Sequence, residues 1–409
     1  MDNNRGVERK GRECAGDETD SNGLKSLLAV SALHFLNDLH PTLLPTFLPE
    51  IVKRLSLSLG EAGFLSTVFG MLNLIVQPLA GHLSDQCDRP LFATWAPLLS
   101  AAGAYFLPIA SSYSMALFFV GILGLGTSSF HPQGHGLAGA VGGPARLGSY
   151  LAVFAAAGTL GAALSPLYAV FLLSVLGTSR IPVALFFVLV FLLAVRIWIP
   201  KNTHGRRERE SNMGFPPRLL GSMWVVVKLC FGLIVISIVR DSTFQGIRVF
   251  LPLLVTGRGG SLEMGGTVLF TFTLAGTISN LIGGKLGDVF GKTRIIVIML
   301  CLSPLFLFPA IKTSGALSIA LFVLGGACIT ATNPITLALA QEYVPQFRST
   351  ASSFVMGVAW GIANIVASPI GMLADRIGLE PTLGFLALMP LLVVAGIGMA
   401  RLFGRKRAT

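Results

Sequence analysis

The chain has 409 residues, of which 53% are hydrophobic and only 12% charged, whereas a soluble domain is about one quarter charged. So little charge to face water, with a mean hydropathy of +0.74, excludes an ordinary soluble fold and points to an all-α integral membrane protein. The net charge of +11 does not mark a nucleic-acid binder, because the basic residues are not interleaved with aromatics on one face; they gather in the N-terminal tail, a central loop (Arg206, Arg207, Arg209) and the C-terminal tail (Arg405, Lys406, Arg407).

Residues 1–23 are polar and mixed in charge, which predicts a disordered tail without a cleavable signal peptide. Twelve apolar runs follow, each about long enough to cross 30 Å of hydrocarbon as helix: 24–48, 60–81, 91–110, 113–139, 147–174, 180–199, 221–255, 264–284, 293–312, 314–341, 347–374 and 381–403. The seventh is over-long, so it either continues past the hydrocarbon or breaks near Gly246 and Pro252. Residues 200–220 form the one sizeable linker, with Lys201, Arg206, Arg207, Arg209 and Arg218 against Glu208 and Glu210. It divides the chain into six-helix bundles at 24–199 and 221–403, followed by a basic tail at 404–409. The Lys/Arg bias places both termini in the cytoplasm. Only Lys53, Arg54, Arg180, Arg258, Lys312 and Arg376 then fall at the opposite ends, with Arg240 and Arg248 inside the seventh run.

The two halves are a repeat. At an offset of 203, Asp38 matches Asp241, Phe47-Leu48-Pro49 matches Phe250-Leu251-Pro252, and Ser165-Pro166 matches Ser368-Pro369. Gly81, Leu83 and Asp85 match Gly284, Leu286 and Asp288 at the same offset, while His131-Pro132 matches Asn333-Pro334 and Arg146 matches Arg348 at 202. Parallel repeats about an axis along the membrane normal are one plan for alternating access, with substrate held between them at mid-depth.

Polar residues inside the runs mark the candidate site. His34, Asn37, Asp38 and His40 fall near the middle of the first run, where an ionisable group costs about 2.5–3.5 kcal/mol and must face a cavity or a partner. His34, Asn37 and Asp38 can share one helical face, either as a proton-handling group or as a packing cluster. Phe130-His131-Pro132 adds an imidazole in the fourth run. Arg240-Asp241 lies in the seventh; adjacent helical residues point about 100° apart, so they need not bridge, and Arg240 either faces the cavity or forms an internal ion pair with Asp38 or Asp241. Gly158, Gly161, Ser165 and Pro166 form a small-residue stripe in the fifth run, suited to close packing. The five cysteines are scattered and show no metal-ligand spacing, neither H-E-x-x-H nor G-x-S-x-G occurs, and neither enzyme chemistry nor a metal or other cofactor is expected.

Two loops, Gly81-His-Leu-Ser-Asp85-Gln-Cys-Asp88-Arg89 and Gly284-Lys285-Leu286-Gly287-Asp288-Val-Phe-Gly291-Lys292-Thr-Arg294, resemble the cytoplasmic signature of the major facilitator superfamily. An aspartate there can sit at the positive start of a helix from the other half and lock one conformation. Asp85 is thus expected near 347–352 and Asp288 near 146–150, with Arg89, Arg146, Lys292, Arg294 and Arg348 as further gating residues. His34-Phe-Leu-Asn37-Asp38, Ser128-Ser129-Phe130-His131-Pro132 and Ala340-Gln341-Glu342-Tyr-Val-Pro345 resemble the fosmidomycin-resistance family of that superfamily, over residues 30 to 400. The resemblance implies a monomeric antiporter in the lipid bilayer, the cytoplasmic membrane if bacterial, that exchanges a small organic anion for protons without nucleic acid. Proton coupling is expected of Asp38, His34 and His131, and substrate contact of Asn37, Phe130, His131, Arg240, Asp241 and Asn333, with Arg240 turning to Asp38 once substrate leaves; the resemblance itself supports Arg240, which stands where the family has a basic residue, whereas Asp241 departs from its pattern. Uptake or facilitated transport of an anion or sugar, and a receptor that retains the fold, are the alternatives.

Overall fold

The computed structural model describes residues 23–86, 89–199, 217–344, 351 and 353–405. The elements are α1 (23–39), α2 (Leu43–Leu55), α3 (Leu59–Gln86), α4 (Leu91–Phe106), α5 (Tyr113–Leu176), α6 (Ala184–Val195), α7 (Pro217–Gly257), α8 (Leu262–Phe290) and α9 (Lys292–Lys312). They continue with α10 (Gly315–Thr330), α11 (Thr332–Tyr343), α12 (Ala359–Ile365), entered through a π-helical turn at Ser353–Val358, α13 (Ala367–Ile377) and α14 (Leu379–Arg405). No strand is assigned among the described residues.

α5 is one unbroken helical assignment, yet it is a hairpin. The rings of Phe130 and Phe154 lie 6.2 Å apart, whereas a straight helix would separate them by about 36 Å at 1.5 Å per residue. Its arms, Tyr113–Ala138 and Ala152–Leu176, each reach membrane-spanning length. With that reversal the described chain makes twelve passes. Nine stretches among the described residues are long and apolar enough to cross a bilayer. The other passes are α8, bent by 41°, and the two that carry buried charge, α1–α2 and α7. Those two passes carry the candidate site residues His34, Asn37, Asp38, Arg240 and Asp241.

Three breaks were not foreseen. The first run divides at His40–Thr42, where Pro41 cannot donate to the helical ladder, the tenth divides at Ala331, just before Asn333-Pro334, and the eleventh at Val366, just before Ser368-Pro369. The seventh stays continuous through Gly246 and Pro252 to Gly257. Outward faces are apolar, with Phe187 66%, Ile197 75%, Trp224 69% and Leu392 68% exposed, as lipid contact requires.

The ends of the bundle that carry residues 23 and 405 form one face, here the terminal face; the opposite face is closed by backbone-to-backbone packing between the halves. A methyl group on Gly63 or Gly371 would run into the backbone of Ala367 or Leu59, and one on Gly266 would meet Val170 and the Pro166 carbonyl. Gly63 and Gly266 are 203 apart, as are Ser165-Pro166 and Ser368-Pro369, so the repeat reappears as a pair of like contacts. The carboxylate of Asp375 accepts from the Leu59 and Gly60 N–H groups at 2.7 and 2.8 Å, which caps the start of α3 from the opposite half. Deeper in, Thr67 Oγ donates to the Ile365 carbonyl at 2.9 Å and accepts from Ser368 N at 3.2 Å.

Candidate functional site

His34, Asn37 and Asp38 lie in the last turns of α1, close to the break at His40–Thr42. The i,i+4 spacing brings His34 Nε2 to 3.1 Å from Asp38 Oδ2. His131, from the first arm of α5, places Nε2 at 3.5 Å from Oδ1, and Asn37 Nδ2 donates to the same oxygen at 3.1 Å. Both carboxylate oxygens are therefore engaged.

The second arm of α5 fixes the state of His34. Its Nδ1 lies 2.7 Å from the Phe154 carbonyl, and a carbonyl only accepts, so the hydrogen is on Nδ1. The ring stacks on Phe154 at 4.0 Å and borders Phe130 at 5.6 Å, centroid to centroid, with the two phenyl rings themselves 6.2 Å apart. Gly158 completes the enclosure: a methyl group there would stand 2.5 Å from the imidazole and 2.7 Å from Asp38 Oδ2. The small-residue stripe thus does more than bring helices close, since one of its glycines leaves the space that the acid–imidazole pair fills. On the other side of the break, His40 Nε2 meets the Tyr105 hydroxyl at 3.1 Å, which in turn meets Tyr168 at 3.0 Å.

In the second half, Arg240 is buried and bidentate on its neighbour. Nε donates to Asp241 Oδ1 at 2.7 Å and Nη2 to Oδ2 at 3.0 Å, while Nη1 reaches Thr336 Oγ at 2.8 Å. Of the two pairings open to Arg240, this conformation has the one with Asp241; Asp38 is held instead by His34, His131 and Asn37. The 100° divergence of adjacent residues is overcome by the length of the arginine side chain, which folds back along the helix. Asn333 is half-buried, and its carbonyl accepts from the same Thr336 hydroxyl at 2.9 Å. The acid of α1 with the histidine of α5 in one half corresponds to the ion pair of α7 with the hydroxyl of α11 in the other. Arg248 crosses between the halves, with Nη1 3.4 Å from Thr42 Oγ and Nε without a partner among the described residues. Phe130 is fully buried, so in this conformation it backs His34 and does not face a cavity.

At the terminal face, Gly291 (φ 92°) alone separates α8 from α9, a backbone region open to glycine. Lys292, on the far side of that turn, lies 3.8 Å from Asp288 and contacts Glu342 of α11. Asp288, Lys292, Arg294 and Glu342 line a shallow pocket of about 550 Å³. In the first half, the Arg89 carbonyl accepts from Gln133 Nε2 at 3.2 Å, and Gln133 Oε1 accepts from Ala93 N at 2.8 Å. The side chains of Asp85 and of residues 146–149, and residues 347–350 and 352 with Arg348 among them, lie outside the described residues.

A membrane bundle of twelve passes, closed on one face by mirrored contacts and holding its few charges at mid-depth between the halves, is the plan of a carrier. The family model of the Major Facilitator Superfamily matches residues 30–367 and 229–409. The chain belongs to that superfamily. As a major facilitator transporter it is 27% identical to the MFS-type transporter YfnC of Bacillus subtilis (strain 168), over 90% of each chain. It is 25% identical to the fosmidomycin resistance protein of Escherichia coli (strain K12), covering 89% of this chain and 90% of that one. The fold is shared with a bacterial homologue of the human lysosomal transporter Spinster, at a TM-score of 0.79 and 14% identity over 92% of this chain and 96% of that one.

Within this major facilitator bundle, sequence reasoning named His34, Asp38 and His131 but missed that the Phe154 carbonyl sets the His34 tautomer. It also passed over His135, one turn beyond His131. The i,i+4 spacing of those two histidines was the available signal.

Proposed function

We propose that the protein exports a small organic anion or drug in exchange for protons, by rocking of the two halves, 24–199 and 221–403, about the site. The contact between His34 and Asp38 carries this reading. With the Nδ1 hydrogen spent on Phe154, the neutral ring turns a bare nitrogen toward the carboxylate at 3.1 Å. That contact holds only when one further proton sits on the pair, on the ring or on the acid. Without it, two acceptors face each other inside the bundle, which is unfavourable. A hydroxyl or amide hydrogen on the cargo satisfies both acceptors in the proton's place. Proton and cargo then exclude one another at a single position, and that mutual exclusion gives antiport its sign.

The anionic end of the cargo is assigned to the second half, where Arg240 and Asp241 meet Asn333 and Thr336, with Asn37 facing from the first half. A guanidinium suits a phosphonate or carboxylate because it offers paired donors. The name of the Escherichia coli relative, a fosmidomycin resistance protein, supports export of such an anion. In this reading the terminal face is cytoplasmic, and the protein works as a monomer in the cytoplasmic membrane. Asp85, Arg89, Arg146 and Arg348 gate that face, together with Asp288, Lys292 and Arg294.

The test uses inverted vesicles with an imposed pH gradient and a panel of phosphonates, other organic anions and cationic drugs. Wild-type protein concentrates an anion against its gradient. Asp38→Asn loses that driven mode and keeps counterflow, because the amide can still turn an acceptor to the cargo but no carboxylate is left to take up the proton; Arg240→Ala loses both. An Asp38→Asn protein that still concentrates its cargo overturns the mechanism.

A further inference from the structure

His135 stands apart from the other three groups of the cluster in its access to water. The side chains of His34, His131 and Asp38 are 6%, 19% and 22% exposed, while His135 is exposed. It lies one helical turn beyond His131, about 6 Å nearer the terminal face. The rest of the ring packs on the cluster itself, with Phe154 at 4.9 Å, His34 at 5.9 Å and His131 at 6.2 Å between centroids, so its exposed edge is where the cluster reaches the outside.

The ring is also oriented for transfer. Nδ1 lies 2.8 Å from the His131 carbonyl, so Nδ1 carries the hydrogen and Nε2 is left bare. Around Asp38, by contrast, no oxygen is idle. Oδ2 faces His34, whose other nitrogen is committed to Phe154, and Oδ1 faces Asn37, which does not titrate, and His131. The one engaged partner that can pass a proton onward is His131, and the next imidazole outward is His135.

We infer that His135 is the relay through which the Asp38–His34 pair exchanges its proton with water at the terminal face. On release the Asp38 carboxyl group turns its O–H from His34 to His131, and that O–H bond breaks as His131 Nε2–H forms. The His131 ring then gives up its other proton to water that is hydrogen-bonded to His135 Nε2, and His135 hands it to the bulk; uptake runs in reverse. The groups that face His135 among the described residues are His131 on its own arm, His34 and Asp38 on α1, and the apolar ring of Phe154.

This inference rests on the proton-exchange reading above, and chemical rescue separates the two. His135→Ala is compared with wild type in inverted vesicles, for driven transport and for counterflow, with and without imidazole added on the terminal side. The expected result is a loss of driven rate of about tenfold or more, within the range for removal of a positioned proton-transfer group, with counterflow unchanged and the driven rate restored by imidazole. Wild-type driven rates in His135→Ala overturn the relay and leave the exchanger standing, as does an equal loss of both modes that imidazole does not repair. Absence of pH-driven transport in wild type overturns the exchange reading itself.

Discussion

Gly158→Ala places one carbon atom against the centre of the proposed exchange. Built on the present backbone, that carbon is 2.5 Å from two imidazole atoms of His34 and 2.7 Å from Asp38 Oδ2, roughly 1 Å inside ordinary van der Waals contact. The imidazole cannot retreat freely, because it lies against Phe154, borders Phe130 and is bonded to the Phe154 carbonyl. The second arm of α5 cannot retreat freely either, since Gly161 packs on the backbone of Phe35 one turn away. The strain therefore falls on the 3.1 Å contact, and lengthening it by about 1 Å removes it as a hydrogen bond. A hydrogen bond to a charged group is worth about 1.5–3 kcal/mol, or roughly a tenfold to hundredfold change in occupancy by proton or cargo. Driven transport in inverted vesicles should fall by that factor at matched protein level, with a monodisperse elution profile in detergent. Gly136→Ala is the control, since nothing lies within 4 Å of its new carbon. Wild-type transport by Gly158→Ala, or an equal loss in Gly136→Ala, would refute the argument that the glycine exists to house the pair.

Asp375→Ala removes the cap that the second half places on α3. At a cost of about 0.5–2 kcal/mol, this shifts the population toward states open on the far face by up to about thirtyfold, and faster labelling of a cysteine at Ser66 by a membrane-impermeant reagent reports it; unchanged labelling counts against a lock. Asp241→Asn leaves the buried Arg240 guanidinium without its counter-charge, and removing one partner of a buried pair costs about 3–5 kcal/mol. The variant should lose thermal stability in detergent far more than Thr336→Val does, and equal melting temperatures would show that Asp241 is dispensable to Arg240.

What could be read from the sequence depended on how local the interaction is. Asp38 declared itself because an acid at mid-depth needs a reason, and His34 followed from i,i+4 spacing. His131 was a candidate only as an isolated imidazole, since its contact with Asp38 spans most of a half. The Phe154 carbonyl was invisible, because every residue has a carbonyl and only the fold aims one at an imidazole. Arg240 was the opposite case. Its partner is next to it in sequence, yet a rule about the directions of Cα–Cβ bonds argued against bridging and ignored the reach of a long side chain. The twelve passes were legible from hydrophobic length alone, while the breaks at His40–Thr42 and Ala331 depend on prolines whose effect in a long apolar run is settled by packing.

The repeat makes the divergence between its halves informative. Asp38 and Asp241 occupy equivalent positions at an offset of 203, and each contacts or lies beside the helix that follows three passes later, so the scaffold offered both halves the same site. In the first half the acid is surrounded by imidazoles, which can hold or release a proton. In the second it is clamped by Arg240 at 2.7 and 3.0 Å, a group that stays charged throughout. An exchanger whose halves both titrated would couple twice, and one whose halves were both permanently paired would not couple at all. In the proposed exchange, one half that titrates and one that keeps its charge would divide the work, with coupling on one side of the pathway and attraction for an anion on the other. Arg240 is already neutralised by Asp241, so an anion gains from it only to the extent that it replaces Asp241 in one of the two hydrogen bonds. Binding on that side is then weak by construction. The cargo gains its further hold only when it also fills the proton's place on Asp38, which ties its affinity to the half that titrates.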